Sequence, residues 1–279
     1  FGSSHSCRLE PRTACGARAR AEGRMAAMKG GPAPGTPAAF MQGMESVQVE
    51  TPAGEIEVKL CLPAGEHPVA LALMVHGMSP ERDIIWEWGG VAEELRQRKT
   101  ATVYPNLHSC DLTAPACAKP EDVAAALEAI AAWGLLRVGG GGSGAVPLLV
   151  YGKSWGGAQA IELCARLAAA KPPAPAPAAG LCLACPSTGI DQLTEKVASV
   201  AAPALLVWAK DDAVIPFDMH GPLLEELRAR PAGATIFAPT EAGGHRVDRM
   251  AALDSTLAAK LAEWPDLALG PLAAASSLR

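Results

Sequence analysis

The chain has 279 residues, enough for one domain of ordinary size with a large buried core. Its formal net charge is −5, and it has no basic blocks outside the N-terminal region, which argues against a nucleic-acid partner. No apolar run reaches the roughly eighteen residues that a membrane-spanning helix requires, so we predict no membrane span. The eight cysteines are scattered, and several fall in predicted strands or helices. This usage indicates buried thiols in a reduced compartment rather than a disulfide framework.

Residues 1–24 carry five arginines against two glutamates. An arginine-rich, acid-poor leader is typical of a transit peptide, which would direct the protein to a plastid or mitochondrion. The alternative is that this stretch is untranslated sequence or a fragment end, with translation starting at Met25 or Met28 and a cytoplasmic product. Because residues 30–39 are mostly glycine, proline and alanine, we expect residues 1–40 to form a disordered leader and linker.

The folded part is expected to begin near residue 45 with an edge hairpin. Apolar and polar residues alternate on both sides of the turn Pro52–Ala53–Gly54. The run 69–75 is continuously apolar, which predicts a central strand that ends at His76–Gly77–Met78. A helix over Trp86–Arg98 and a strand over 100–105 follow.

Residues 106–119 are predicted as a loop, and Pro120 starts a helix. The apolar side chains at helical spacing that should form its buried face are Val123, Leu127, Ile130 and Trp133. The glycine-rich stretch 139–144 is not followed by a helix start, so we interpret it as a flexible surface connection rather than a ligand-binding loop.

The most informative stretch is an apolar strand, 148–151, that runs into Gly152–Lys153–Ser154–Trp155–Gly156 and then a helix. A serine at such a sharp turn would sit in a strained backbone conformation, with small neighbours because other backbone comes close. The helix start would place free N–H groups beside the hydroxyl. This arrangement suits a nucleophile whose attack creates an oxyanion. The residues proposed for the buried face of the helix are Ala158, Ile161, Ala165 and Ala168.

Gly152–Lys153–Ser154 also looks like the end of a phosphate-binding loop. That motif needs a glycine five residues before the Gly-Lys pair, and this position is Pro147. The residues between are an apolar strand, so we exclude a nucleotide site.

Strands and helices alternate through the rest of the chain. Strands are predicted at 180–185, 204–209 and 234–238, and helices at 191–199, 217–229 and 247–264. The alternation predicts an α/β domain over 45–264: a mostly parallel twisted sheet with helices on both faces. Residues 265–279 are predicted to be a flexible C-terminal tail.

A serine nucleophile needs a histidine base and an acid that orients it. Of the six histidines, His245 follows the last predicted strand in a glycine-containing loop at the carboxyl edge of the sheet, where open α/β sheets place their sites. Asp211 and Asp212 lie just past another strand and compete for the role of acid. One or both of them could instead cap the following turn.

The oxyanion of such a reaction needs two backbone donors. The N–H of Trp155, directly after the serine, would be one, and the N–H of Met78, after an earlier strand, would be the other.

These motifs resemble the α/β-hydrolase family, which orders its catalytic residues as nucleophile, acid and histidine. Here that order is Ser154, Asp212, His245. His76–Gly77–Met78 resembles the family's oxyanion turn. The stretch 209–216 resembles its acid loop, and its register selects Asp212 over Asp211. The resemblance covers roughly residues 45–264. A serine at the elbow disfavours the dehalogenase-like and dienelactone-hydrolase-like branches, while Lys153 and Trp155 are unusual there.

The resemblance implies little or no cap, because only about twenty residues separate strands 180–185 and 204–209. Loops at the same edge should line the substrate pocket. The candidates for this lining are His76, Gly77, Trp86, His108 and Ser187. Cys182-x-x-Cys185 has the spacing of a redox pair or half a zinc site. It lies in an apolar strand without a partner pair, so we predict no metal.

The resulting hypothesis is a carboxylesterase-like serine hydrolase that cleaves a small-molecule ester or thioester through an acyl-enzyme, without a metal or organic cofactor. The rival enzyme classes are an acyltransferase or a peptidase with the same triad. A rival of another kind is a ligand- or partner-binding protein that keeps the fold. The substrate's acyl and leaving groups and the oligomeric state are not predictable from the sequence.

Overall fold

The computed structural model describes residues 44–63, 65, 67–78, 88–110, 112, 120–139, 146–171, 175–187, 190–231 and 233–276. The predictions for the leader 1–40, for Trp86 and for most of the glycine-rich connection lie outside these residues.

Eight strands of the described chain form one sheet in the order β1-β2-β4-β3-β5-β6-β7-β8. The strands are β1 (Glu45–Thr51), β2 (Gly54–Cys61), β3 (Ala70–Val75), β4 (Thr100–Pro105), β5 (Leu148–Lys153), β6 (Gly180–Ala184), β7 (Ala204–Ala209) and β8 (Thr235–Thr240). β1 and β2 form the predicted antiparallel hairpin, and β2 also pairs antiparallel with β4. From β4 onward in this order, each strand pairs in parallel with the next one in the sheet. The prediction of a mostly parallel sheet is therefore confirmed.

Seven helices of the described chain pack against the sheet. They are α1 (Gly89–Gln97), α2 (Pro120–Gly139), α3 (Trp155–Ala169), α4 (Ile190–Ser199), α5 (His220–Ala229), α6 (Val247–Leu253) and α7 (Ser255–Ser276). Two short 3-10 turns, Leu107–Cys110 and Phe217–Met219, complete the described secondary structure. α2 to α5 pack in succession in one layer, while α1, α6 and α7 pack together in the other. This arrangement gives the predicted helices on both faces.

The centre of the sheet is the core of the protein. Every residue of β3, β4, β5, β6 and β7 is buried. These strands are rich in apolar residues because helices cover both of their faces. The buried polar or charged side chains among them are Thr100, Thr102 and Lys153. β5 extends to Lys153, two residues beyond its predicted end, because its parallel pairing with β6 continues to Lys153 and Ala184.

Two of the predicted helix faces are wrong in part. Ala168 is exposed and Ala158 only half-buried, while Leu163, Cys164 and Leu167 form much of the buried face of α3. Alanine contributes little to an apolar face, so its spacing is a weak marker in an alanine-rich helix. Three of the four residues proposed for the buried face of α2 are buried, but the fourth, Trp133, is half-buried.

The last helix differs from its prediction in both extent and continuity. Asp254 interrupts it, and its side chain accepts hydrogen bonds from the N–H groups of Thr256 and Leu257, which caps the start of α7. α7 then continues to Ser276, with a non-helical residue at Gly270. Most of the region 265–279 that we predicted to be a flexible tail is therefore helical. Trp264, Ala268 and Leu269 are residues of α7 with buried side chains, so this part of the helix packs against the rest of the protein.

The segment between β6 and β7 contains only α4 among its described residues. The predicted near-absence of a cap at this position is confirmed. No helix in the described ranges is both long and apolar enough to cross a membrane.

Candidate active site

Ser154 occupies a strained turn between β5 and α3. Its φ of 54° and ψ of −128° lie in a region that non-glycine residues rarely adopt, at a cost of about 1–3 kcal/mol. Backbone hydrogen bonds hold the turn. The Ser154 N–H donates to the carbonyl of Ala184 (3.0 Å), and its own carbonyl accepts from Gly157 (2.9 Å) and Ser187 (2.7 Å). The surrounding structure thus fixes a conformation that the chain would not adopt alone.

The glycines on either side of Ser154 are required by close backbone contacts. A Cβ on Gly156 would lie 2.1 Å from the carbonyl oxygen of His76, and one on Gly152 would lie 2.5 Å from the carbonyl oxygen of Gly156. Neither distance is compatible with a side chain. The predicted strained serine with small neighbours is present in the structure.

His245 is hydrogen-bonded to Asp212, with 2.7 Å between Nδ1 and Oδ2. The Asp212 side chain is 0% exposed and that of His245 is 14% exposed. A carboxylate at Nδ1 selects the tautomer with the proton on that nitrogen, which leaves Nε2 as the proton acceptor. Burial alone would raise the pKa of Asp212. The hydrogen bonds from His245, Ile215, Cys185 and Val214 outweigh it and lower that pKa, so the acid is an anion.

The other oxygen of Asp212 organises its own loop. Oδ1 accepts the N–H groups of Val214 and Ile215, both at 2.9 Å. The indole N–H of Trp208, on β7, donates to the Ile215 carbonyl at 3.0 Å. Asp212 therefore both caps the following turn and orients His245, two roles that the sequence analysis treated as alternatives for the aspartate pair.

Asp211 has a role that the sequence analysis missed. Its carboxylate accepts the backbone N–H of Gly243 (3.2 Å) and of Gly244 (2.7 Å), in the loop that carries His245. Both glycines have positive φ, 132° and 59°, so this loop needs residues without a Cβ. The two adjacent aspartates thus hold the histidine loop from its backbone and from its side chain.

His76, Gly77 and Met78 form a turn directly against the serine. A Cβ placed on Gly77 would lie 3.2 Å from the Ser154 Cβ and 3.6 Å from its Oγ. The peptide between Gly77 and Met78 is fixed by His76, whose Nδ1 lies 2.6 Å from the Gly77 carbonyl oxygen. In a trans peptide the N–H points opposite to the C=O, so this contact also fixes the direction of the Met78 N–H.

The His76 ring is structural. Its Nε2 accepts the N–H of Leu107 at 2.9 Å, which leaves Nδ1 as the donor to Gly77. Burial lowers the pKa of His76 to about 4 and keeps it neutral at pH 7. Because its side chain is completely buried, it supports the turn rather than lining the pocket as the sequence analysis proposed.

The remaining pocket candidates lie in different places. His108 stacks on His76, with 4.8 Å between ring centroids, and the Trp155 ring lies 6.4 Å from His76. Ser187 contacts the nucleophile turn through its backbone N–H. His108, Trp155 and Ser187 are therefore grouped with Ser154 and Gly77 at one edge of the sheet. Trp86 is outside the described residues.

One group of side chains has the composition of a metal site. Cys185, Asp212 and His245 each present one ligand atom, and these atoms lie within 4.8 Å of one another. Both oxygens of Asp212 and Nδ1 of His245 are already engaged in the hydrogen bonds described above. The group is therefore better described as a polar cluster around the candidate acid Asp212. Cys182 and Cys185 are both free and buried.

No protein-family model and no curated protein matches this chain. Solved structures do match it. A dienelactone hydrolase from Anabaena variabilis is 20% identical, with a TM-score of 0.58 over 79% of this chain and 95% of that one. Est1E from Butyrivibrio proteoclasticus is 13% identical, with a TM-score of 0.60 over 80% and 98%. An α/β serine hydrolase without a lid, from Xanthomonas campestris, is 17% identical, with a TM-score of 0.57 over 81% and 96%.

The chain has the α/β-hydrolase fold. In this fold the candidate residues follow the carboxyl ends of four neighbouring strands. Ser154 follows β5, Cys185 follows β6, Asp212 follows β7 and His245 follows β8. Parallel strands end at the same edge, so residues far apart in the chain meet there. Cys185 was missed as a neighbour of the acid because only the strand order places β6 between β5 and β7.

Proposed function

We propose that this protein is a serine hydrolase that cleaves a carboxylic ester or thioester, with Ser154 as nucleophile, His245 as general base and Asp212 as the orienting acid. The observation that carries the proposal is the occurrence, at one sheet edge, of a strained serine turn and a histidine that is hydrogen-bonded to a buried aspartate. A turn of this kind is conformationally costly, and such strain clusters at functional sites. The named activities of the structural neighbours support hydrolysis as the reaction class.

Acylation begins when the Oγ of Ser154 attacks the substrate carbonyl carbon and its proton passes to Nε2 of His245. The new C–O bond pushes the carbonyl electrons onto oxygen, and the N–H groups of Met78 and Trp155 hold that oxyanion. Each such donor contributes about 3–4 kcal/mol to lowering the barrier. When the carbonyl re-forms, the C–O or C–S bond to the leaving group breaks, and His245 returns the proton to the alcohol or thiol.

Deacylation repeats these steps with water. His245 takes a proton from the water as its oxygen attacks the acyl carbon. The Ser154 ester bond then breaks, and the proton passes back to Oγ. Asp212 remains ionised throughout and stabilises the imidazolium that forms in both halves of the reaction.

The direct test is labelling with a fluorophosphonate, which reacts with activated serines. Wild-type protein should be labelled, and Ser154→Ala and His245→Ala should not. The matched controls are Ser199→Ala and His67→Ala, which remove an exposed serine and an exposed histidine that precedes the amino end of β3, and they should label like wild type. Circular dichroism of every variant checks folding.

Labelled protein would then be assayed on acyl esters and acyl thioesters, with and without an added alcohol or amine acceptor. Release of free acid in the presence of acceptor supports a hydrolase, while acyl transfer to the acceptor supports an acyltransferase. A folded wild-type protein that is not labelled would rule out this mechanism and favour a binding function.

A further inference from the structure

Cys185 has an unusual backbone conformation beside the candidate catalytic acid. It directly follows β6 and has a φ of 42°, in the left-handed region that favours glycine. Its N–H donates to the carbonyl of Val207, at 2.9 Å, which locks the residue to the neighbouring strand β7. Its side chain is completely buried. A cysteine is therefore present at a position where a glycine would be free of strain, and its side chain points into the protein.

The thiol of Cys185 lies beside Asp212. Its Sγ is within 4.8 Å of an Asp212 carboxylate oxygen and of a ring nitrogen of His245. An S–H can donate and an ionised carboxylate can only accept, so the thiol is placed to donate a weak hydrogen bond to Asp212. Burial, followed by the charge of Asp212, raises the pKa of this thiol, so it stays protonated and keeps its donor.

Asp212 is thereby approached from three directions. Two backbone N–H groups of its own loop donate to Oδ1, His245 is hydrogen-bonded to Oδ2, and Cys185 lies within 4.8 Å from the end of β6. The loop donors fix one oxygen only. The thiol is the neighbour of the carboxylate that comes from the rigid centre of the sheet.

We propose that Cys185 is a positioning residue that holds the Asp212 carboxylate in the orientation in which it pairs with His245. The proposal rests on the proposed function for its effect on turnover. The Cys185–Asp212–His245 link itself can be measured without turnover. An S–H is a weak donor, so it restrains the carboxylate while leaving most of its negative charge available to the imidazole.

Two opposite changes follow from altering the donor. Cys185→Ala removes the S–H donor. The negative charge of Asp212 is then shared with one donor fewer and stabilises the imidazolium form of His245 more strongly. The acidic limb of the kcat/KM profile then moves to higher pH. Cys185→Ser replaces the thiol by a stronger donor and moves the limb down. A net hydrogen-bond contribution corresponds to a shift of about 0.4–1 pH unit.

Other charged groups near the pair remain unchanged in these variants. The charge of Lys153, on β5, lowers the pKa of the Cys185 thiol, and Asp211 is adjacent to Asp212 in the acid loop. The half-buried ion pair Arg246–Asp248 directly follows His245, at the start of α6. A shift between variants is therefore attributable to the altered donor.

The experiment compares wild type with Cys185→Ala, Cys185→Ser and Cys185→Gly, and with Cys182→Ala as the matched control. Cys182, within β6, is also a fully buried thiol, and burial raises its pKa without a contribution from Asp212. NMR follows the Nδ1–H proton and the titration of His245. Ester hydrolysis gives kcat, KM and the pH profile.

We expect Cys185→Ala and Cys185→Gly to lower kcat about tenfold with little change in KM, and to shift the His245 resonance and titration upward. Cys185→Ser should restore kcat to within about threefold and shift the titration downward. Cys182→Ala should cost stability but leave both readouts at wild-type values. Cys185→Gly relieves the strained φ but removes the buried thiol, as Cys185→Ala does. If Cys185 were purely structural, both changes would alter only the free energy of unfolding and leave the His245 signals as in wild type.

Unchanged His245 signals in all folded Cys185 variants would overturn the proposal. If the signals change as expected but the wild type neither labels nor turns over, the link stands and the proposed function fails. If the wild type turns over and the variants keep its kcat and pH profile, the proposed function stands and the positioning role fails.

Discussion

Asp211 and Gly244 are joined by a 2.7 Å hydrogen bond in which the glycine N–H donates to a carboxylate oxygen. The next residue along each segment repeats the connection through side chains, from Asp212 to His245. Adjacent aspartates on one loop thus hold adjacent residues of another. In the proposed mechanism only the contact between Asp212 and His245 stabilises the imidazolium directly. The contact between Asp211 and Gly244 acts by holding the loop.

The first prediction compares the two aspartates. Asp212→Asn removes the charge that stabilises the imidazolium and disturbs the tautomer, and should lower kcat/KM by about 10⁴-fold. Asp211→Asn keeps one acceptor oxygen for the loop N–H groups, and should lower kcat/KM by about tenfold or less. Steady-state ester hydrolysis measures both. Equal losses would mean that Asp212 acts only by holding the loop.

The second prediction concerns pH and the neutral His76. Burial lowers its pKa to about 4 from 6.5, so the unfolded chain takes up the proton first as the pH falls. The stability linked to this group is complete above about pH 6.5 and declines toward pH 4. The decline amounts to about 3 kcal/mol at most, from the 1.36 kcal/mol that each pKa unit represents.

Urea unfolding of wild type between pH 7 and 4.5 measures that decline. His76→Gln should show a smaller slope, whatever its stability at pH 7. In wild type, the NMR signals of the His76 ring should remain those of a neutral imidazole down to about pH 5. A ring that titrates near pH 6.5 would contradict the assignment.

The third prediction concerns the glycine after the nucleophile. Gly156→Ala would place a Cβ 2.1 Å from the carbonyl oxygen of His76, in the turn after β3. This clash should lower the free energy of unfolding by at least about 1–3 kcal/mol. Gly221→Ala is the matched control, since no atom lies within 4 Å of its added Cβ in α5. It should raise stability by about 0.5–1 kcal/mol. Chemical denaturation distinguishes the two, and a neutral Gly156→Ala would refute the close approach.

The fourth prediction tests the C-terminal helix. Leu269 is 8% exposed and Leu267 is 55% exposed on the same helix α7. Leu269→Ala should lower the free energy of unfolding by about 2–3 kcal/mol, because it removes buried apolar surface and leaves a cavity. Leu267→Ala should change it by less than about 0.5 kcal/mol. Similar effects for both, in thermal or urea unfolding, would mean that this part of the chain does not pack as described.

Motifs made of neighbouring residues were predictable from the sequence, because their chemistry depends on local backbone geometry. The serine turn, the His76–Gly77–Met78 turn and the acid loop are of this kind. The partners of Asp211 and the contact of Cys185 with Asp212 were not predictable, because they depend on which strands are neighbours in the sheet. The helical extension beyond Trp264 was missed because Pro265 follows directly and the residues after it are mostly small, although the buried positions Leu261, Trp264 and Ala268 keep a helical spacing.

The rate at which the buried thiols are alkylated would measure how often this fold opens. Cys61, Cys164, Cys182 and Cys185 are free in the described chain, and burial raises the pKa of each, that of Cys164 to about 12. Thiolates, not thiols, react with alkylating reagents, so the closed protein should be inert at neutral pH. Modification must then wait for a local or global opening, and mass spectrometry can assign each event to a cysteine. The alkylation rate at Cys182 would thus report how often the middle of the sheet is exposed to solvent, without any engineered label.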